Sequence, residues 1–394
     1  MPSVLPVPIN PSVLEWARQE GGYAVDRIAE RLHVKRERVE AWESGERPPT
    51  LRQVQELARF LHRPLNLFFL PSPPQVPSLA AEYRRLPGVT PGQESPELRL
   101  ALRQMINRRE NALALMEELG EEPTSFQLQA HLREKPDQVG ERLRVALDVD
   151  VSVQTRWIDE WQAWREWRAA AEKLGIFVFQ FPKVELSEAR GLSLLRFPLP
   201  VVAINSKEWP DSRNYTLLHE LIHVMLAAGN EEVPALRERR SGKDWEQLER
   251  FAEAATSFAL VPENALRAVL PSRPDFWDIP SVRRLARRFR ITPLAMATRL
   301  QTSGLMSWPE YTAWKKGWDD YVATLPPRGG GFAHPVDKTI GRSGLPYVQL
   351  VLQALEANRI TSVDASRYLD LKFEHFSKLR DSLRETPARG DANE

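Results

Sequence analysis

The sequence predicts a mainly α protein with one small β-sheet, an α+β class. Three observations carry that expectation. Apolar residues recur at helical spacing over most of the chain, as in residues 98–119 and in Trp157, Trp161, Trp164 and Trp167. One β-rich interruption spans residues 176–205, with Pro182, Pro198 and Pro200 as punctuation. Directly after it, Leu217-Leu218-His219-Glu220-Leu221-Ile222-His223 reads H-E-x-x-H inside an apolar run suited to a buried helix.

Composition bounds the rest. A chain of 394 residues suggests two to four domains. Its 42% hydrophobic content supports real cores, and 27% charge is ordinary for a soluble protein. The net charge of +1 makes any basic face a local one. There are no cysteines, which excludes disulfides, thiolate ligands and cysteine nucleophiles and fits a reducing cytoplasm. No apolar run approaches 18 residues and no signal peptide opens the chain, so the expectation is a soluble cytoplasmic protein without a membrane partner.

Residues 10–70 read as five short helices. Asn10-Pro11-Ser12 starts the first, which runs to Gly21-Gly22. The second covers about 25–32 with Ile28, Ala29 and Leu32 inward, and a tight turn follows at His33-Val34. The third spans about 36–44, with Val39 and Trp42 inward and Gly45 as its cap. Thr50 opens a fourth carrying Leu51, Val54, Leu57, Ala58 and Leu61, and Pro64 opens a fifth toward Phe68 and Phe69. Residues 28–34 followed by Val39-Glu40-Ala41-Trp42-Glu43-Ser44-Gly45-Glu46-Arg47-Pro48-Pro49-Thr50 resemble the helix-turn-helix of the Cro/CI (XRE) repressor family. That resemblance implies that the third helix enters the major groove of operator DNA. The residues it would present are Lys35, Arg36, Glu37, Arg38 and Glu40, with Arg47 close by. Nine Lys/Arg stand against six Asp/Glu between Arg27 and Arg63, a modest excess for phosphate contact. The family commonly acts as dimers, so a homodimer is implied.

Pro71-Ser72-Pro73-Pro74-Gln75-Val76-Pro77 is a stiff spacer, so a first domain covers residues 1–71. A helical spacer, 72–155, follows. Residues 98–119 form an amphipathic helix edged by Arg99, Arg103, Arg108 and Arg109, either a solvated face or a nucleic-acid contact. Residues 126–147 also read as helical. The four tryptophans at spacings of 4, 3 and 3 make a helical stripe, suited to a core or to base stacking.

A third domain, 156–305, holds the β-rich stretches 176–181, 191–197 and 200–205 and the helix 213–227. His219 and His223 lie one turn apart on one helical face, so both imidazoles can reach a single Zn2+, with Glu220 beside them as a base. A third ligand must come from elsewhere. No histidine follows before His334, and residues 245–260 offer Glu246, Glu249 and Glu253. Ala252, Ala255 and Ala259 allow that helix to approach the first closely. Residues 213–223, then Glu249-x-x-Ala252 and Leu260-Val261-Pro262, resemble the ImmA/IrrE family of zinc-dependent metallopeptidases. The resemblance implies a zincin-like fold, zinc on His219, His223 and Glu249, Glu220 as catalytic base, and a protein substrate. Glu253 stands where the family has asparagine and Ala255 where it has phenylalanine, so Glu253 stays an alternative ligand. Arg213, Tyr215 and His334 are candidates for stabilising an oxyanion, and the sheet edge for holding a substrate strand.

The fourth region, 306–394, is helical, with a flexible break at 326–331, helices at 347–357 and 363–383, and a disordered tail. Arg283, Arg284, Arg287, Arg288 and Arg290 sit in a second helix-turn-helix-like spacing, either a solvated face or a DNA contact. Together the two resemblances imply a DNA-binding transcriptional regulator with a fused zinc endopeptidase. It would cleave a partner repressor, or itself, in a stress or mobile-element response. The alternative is a non-catalytic repressor or antitoxin-like half of a toxin–antitoxin pair, whose metal site is structural or sensory.

Overall fold

In the computed structural model the Asn10 side chain accepts the Ser12 amide and opens α1 (Pro11–Glu20), with Pro11 at the first helical position, where no N–H is needed. The structure describes residues 6–75, 94–230, 242–270, 276–325 and 334–388. The described residues fall into two compact units, the first ending at Gln104 and the second beginning at Met105.

In the first unit α1 is followed by α2 (Val25–Leu32), α3 (Arg36–Glu43), α4 (Leu51–Phe60) and a 3-10 turn at Leu65–Phe69. Leu14, Ile28, Val39, Trp42, Val54, Leu57 and Phe68 close one buried cluster, as the helical spacing requires. Thr50 and Gln53 complete a capping box at α4. A bidentate pair from Arg18 to Glu43, 2.6 and 2.9 Å, ties α1 to α3. The first turns of α5 (Pro96–Leu119) also belong here. Arg99 donates to the carbonyls of Gln19 and Glu20, and Arg103 pairs with Glu20 at 3.1 Å. Neither arginine lines a solvated face or is free for nucleic acid. Both are spent on the C-terminal end of α1, where unpaired helix carbonyls attract cations.

The second unit starts within α5, where buried Arg109 donates to the Leu199 carbonyl at 2.7 Å. The helix expected over 126–147 is shorter, α6 (Pro136–Ala146). Proline at its first position holds Lys135 extended, and the preceding segment instead lends the Ala130 amide to the Met225 carbonyl. After α7 (Val151–Gln154) comes α8 (Glu160–Glu172). Trp157, Trp164 and Trp167 are buried, and only Trp161 is exposed, so the stripe is mostly core. Strands β1 (Phe177–Phe181), β2 (Gly191–Leu194) and β3 (Val201–Asn205) form a sheet in the order β1-β3-β2. β1 runs parallel to β3, and β2 runs antiparallel to it. β2 is an edge strand whose four residues are all buried.

Two long helices follow, α9 (Pro210–Ala228) and α10 (Gly242–Leu260). The small residues of α10 serve a second neighbour besides α9: Gly140 of α6 faces the Ala255 carbonyl and the Ala259 nitrogen so closely that a Cβ would stand 2.4 and 2.9 Å from them. Arg144 and Gln154 then bond the carbonyls of Ala259 and Leu260, which end α10 without helical partners. The chain continues through α11 (Glu263–Val269), α12 (Ile279–Arg288), α13 (Pro293–Thr302) and α14 (Trp308–Ala323). The expected break at 326–331 lies outside the described residues.

α15 (Pro335–Ser343) and α16 (Leu345–Glu356) cover β1, with the Tyr347 ring edge-on to Phe177 and Phe179. The helix expected over 363–383 is broken. α17 (Ser362–Leu369) stops at Asp370, whose left-handed backbone (φ 48) turns the chain before α18 (Phe376–Ala388). α18 extends into the stretch expected to be disordered, and 389–394 lie outside the described residues. Among the described residues no helix is long and apolar enough to cross a membrane.

Candidate functional site

α9 is buried along most of its length, which fixes the rotation of its histidines. His223 is fully buried and His219 nearly so. Their Nε2 atoms lie 3.2 Å apart. Glu249 of α10 reaches into the same space, with Oε2 3.3 Å from His219 Nε2 and Oε1 3.7 Å from His223 Nε2. Ligands bonded at ~2.0–2.1 Å to one tetrahedral zinc stand about 3.3 Å from one another. The three atoms therefore fit a single ion of that kind, and two neutral imidazoles with a carboxylate make a suitable donor set. Among the described residues this is the one group of three His, Asp or Glu side chains converging in this way.

The structure thus brings together His219, His223 and Glu249. Glu253 is not one of the three converging groups: it is exposed on α10. Its charge acts on the phenol of Tyr215, whose pKa burial, then Glu253 and Tyr311, hold well above the usual tyrosine value. The Tyr215 ring lies nearly parallel to that of His219, with centroids 6.1 Å apart. Glu246 is exposed. Two of the oxyanion candidates are otherwise engaged. Arg213 donates to the carbonyls of Glu208 and Ser206 and to Gln180. His334 accepts the Val336 amide at the start of α15.

Glu220 is buried and held from β2, where the Ser193 hydroxyl donates to its Oε2. Gly191 allows this approach. A Cβ there would meet Thr216 Cγ2 at 2.6 Å, Glu220 Oε1 at 2.8 Å and Glu220 Cγ at 2.9 Å. Neither Gly191 nor Ser193 stands out in the sequence. The available signal is a glycine and a small hydroxyl on alternate positions of the strand, one face of the sheet.

In the first unit Lys35, Arg36, Glu37, Glu40 and Arg47 are exposed, and Arg38 is half-buried. Arg36 pairs with both Glu40 and Asp26, each at 2.7 Å. These contacts raise its pKa, the Glu40 hydrogen bond most, so it stays charged. Such exposed pairs are weak, and a phosphate can displace them.

Comparison with known families agrees with this layout. Residues 14–68 match the family model described as helix-turn-helix, and residues 171–301 match the IrrE N-terminal-like domain of the M78 peptidases. No curated protein and no solved structure matches the chain. The first match covers α2 and α3 with their turn, and the second covers the sheet and the His219–His223–Glu249 cluster. The chain joins an XRE-type helix-turn-helix, a DNA-binding domain, to a metallopeptidase-family domain of the ImmA/IrrE type.

Proposed function

We propose that the chain is a cytoplasmic, operator-bound regulator whose second unit hydrolyses a peptide bond in a partner repressor, or in itself, in a stress or mobile-element response. The convergence of His219, His223 and Glu249 beside a buried, strand-held Glu220 supports this reading. The three ligands would hold Zn2+, which when bound supplies Lewis acidity to a carbonyl and acidity to a water. Glu220 takes a proton from the attacking water as its oxygen bonds to the scissile carbonyl carbon. It returns that proton to the departing nitrogen as the C–N bond breaks, leaving a carboxylate and an amine. Ser193 occupies one oxygen of Glu220 and so orients the other. Lys35, Arg36, Glu37, Arg38, Glu40 and Arg47 form the DNA face on the Cro/CI pattern, and a homodimer would place two such faces on an operator.

The test is co-incubation of the purified chain with proteins encoded beside it, with metal measured in parallel. The expected outcome is cleavage of one neighbour by the parent chain, and retained metal with lost cleavage in Glu220→Gln. Full metal content with no cleavage of any neighbour, together with stable binding of a small toxin, would favour a sensory or structural metal instead.

A further inference from the structure

We propose that α17 and α18 form a second helix-turn-helix that binds double-stranded DNA. The observation is a repeat in geometry within one chain. α2 and α17 each have eight residues and end on a leucine, Leu32 and Leu369. Each is capped by a left-handed residue, His33 (φ 53, ψ 44) and Asp370 (φ 48, ψ 46). The next amide bonds five residues back in both, Val34 to the Ala29 carbonyl at 3.0 Å and Leu371 to the Ser366 carbonyl at 3.1 Å. A lysine with extended backbone then opens the second helical segment, Lys35 before α3 and Lys372 before the turn Phe373–His375 that leads into α18.

The packing repeats in the same register. Ile28, Leu32, Val39 and Trp42 are buried, and so are Ala365, Leu369, Phe376 and Leu379 at the equivalent positions. Exposure on the second helix repeats as well. Lys35, Arg36, Glu37 and Glu40 correspond to Lys372, Phe373, Glu374 and Ser377, all exposed. A helix ended by a left-handed residue is common, so the turn alone decides nothing. α12 and α13 show the distinction. Arg290 is left-handed and the Ile291 amide bonds back to the Ala286 carbonyl, but Ala295, Met296, Ala297, Arg299 and Leu300 bury α13. A buried helix cannot enter a groove, whereas the leading end of the α18 segment stands clear.

The chemistry of the face suits a duplex. From Arg359 to Arg384 six Lys/Arg stand against four Asp/Glu, an excess close to that of the first reader. Lys372 is 82% exposed, with a loose 3.8 Å pair to exposed Glu374 that a phosphate can displace, and Lys378 is exposed. The Asp26–Arg36 ion pair of the first unit is replaced here by Val363 and Phe373, 65% and 54% exposed. An aromatic at the first turn of a reading helix contacts thymine methyl groups in the major groove.

The experiment titrates the full-length chain against a mixed-sequence duplex oligonucleotide over a range of salt. Each phosphate contact contributes about −0.9 to the slope of log K against log salt. Lys372→Glu with Lys378→Glu is expected to flatten that slope by roughly 2. In a chain whose first reader is disabled by Arg36→Glu and Arg38→Glu, residual duplex binding should persist and then vanish on adding the two lysine changes. An unchanged slope, or no residual binding in the disabled chain, overturns the proposal. So does an unchanged slope accompanied by lost self-association in Phe373→Ser, which would make the face a protein contact. Melting temperature confirms folding of each variant. Metal content and proteolysis are separate readouts, so failure of the peptidase reading leaves this test intact.

Discussion

Gly191→Ala separates the placement of Glu220 from the binding of a metal. The added methyl would lie 2.6 Å from Thr216 Cγ2 and 2.8–2.9 Å from Glu220, inside any normal carbon contact. β2 is paired to β3 and α9 is buried along its length, so neither backbone yields easily. The side chains of Thr216 and Glu220 are then the groups that move, the Glu220 carboxylate away from Ser193. Overpacking of this kind costs about 1–3 kcal/mol. At roughly 2–4 °C per kcal/mol, the slope for a domain of 150–250 residues, the melting temperature should fall by roughly 4–8 °C for a cost of about 2 kcal/mol. A base displaced by about 1 Å loses on the order of 10²-fold in rate. The nearest atoms to the new methyl belong to Thr216 and Glu220 and not to His219, His223 or Glu249, so metal content should match the parent. The assays are thermal unfolding, elemental analysis and cleavage of whichever neighbour the parent chain cuts. Parental melting and parental cleavage in Gly191→Ala would refute the claim that this glycine admits Glu220 to the strand.

Two further outcomes follow from packing and charge. Gly140→Ala should destabilise the second unit by about 1–3 kcal/mol, because its Cβ would stand 2.4 Å from the Ala255 carbonyl and backbone cannot swing away; an unshifted thermal melt would contradict that contact. Burial pushes the carboxyl of Glu172 up to about 7, with Arg168 pulling against it. Its folded pKa is raised above the unfolded value, so its contribution is fully present below about pH 4.5 and is lost as pH rises toward 7. Glu172→Gln should flatten the decline in stability between those limits, and melts at the two ends would show equal slopes for parent and variant if this is wrong.

How much was legible in advance depended on whether the signal was local. His219, Glu220 and His223 declare themselves because helix geometry alone puts two imidazoles on one face. Glu249 needed a second helix, and spacing could not separate it from Glu253, which lies one turn further along the same face. Ser193 was hidden because it meets Glu220 from a strand 27 residues away. Arg99 and Arg103 looked solvated because their partner, the end of α1, is about eighty residues distant. The break at Asp370 leaves little trace in the sequence because a left-handed aspartate stands where a glycine would announce the turn. Apolar spacing over 126–147 is helical throughout, but Pro136 sets the start of the helix because the residue before a proline is held extended.

The most direct test of the central claim is the zinc content of the purified chain and of two single variants. The geometry predicts about one zinc per chain, lost in Glu249→Ala and kept in Glu253→Ala. A zinc-free parent chain with both histidines intact, or zinc that survives Glu249→Ala and leaves with Glu253→Ala, would contradict it.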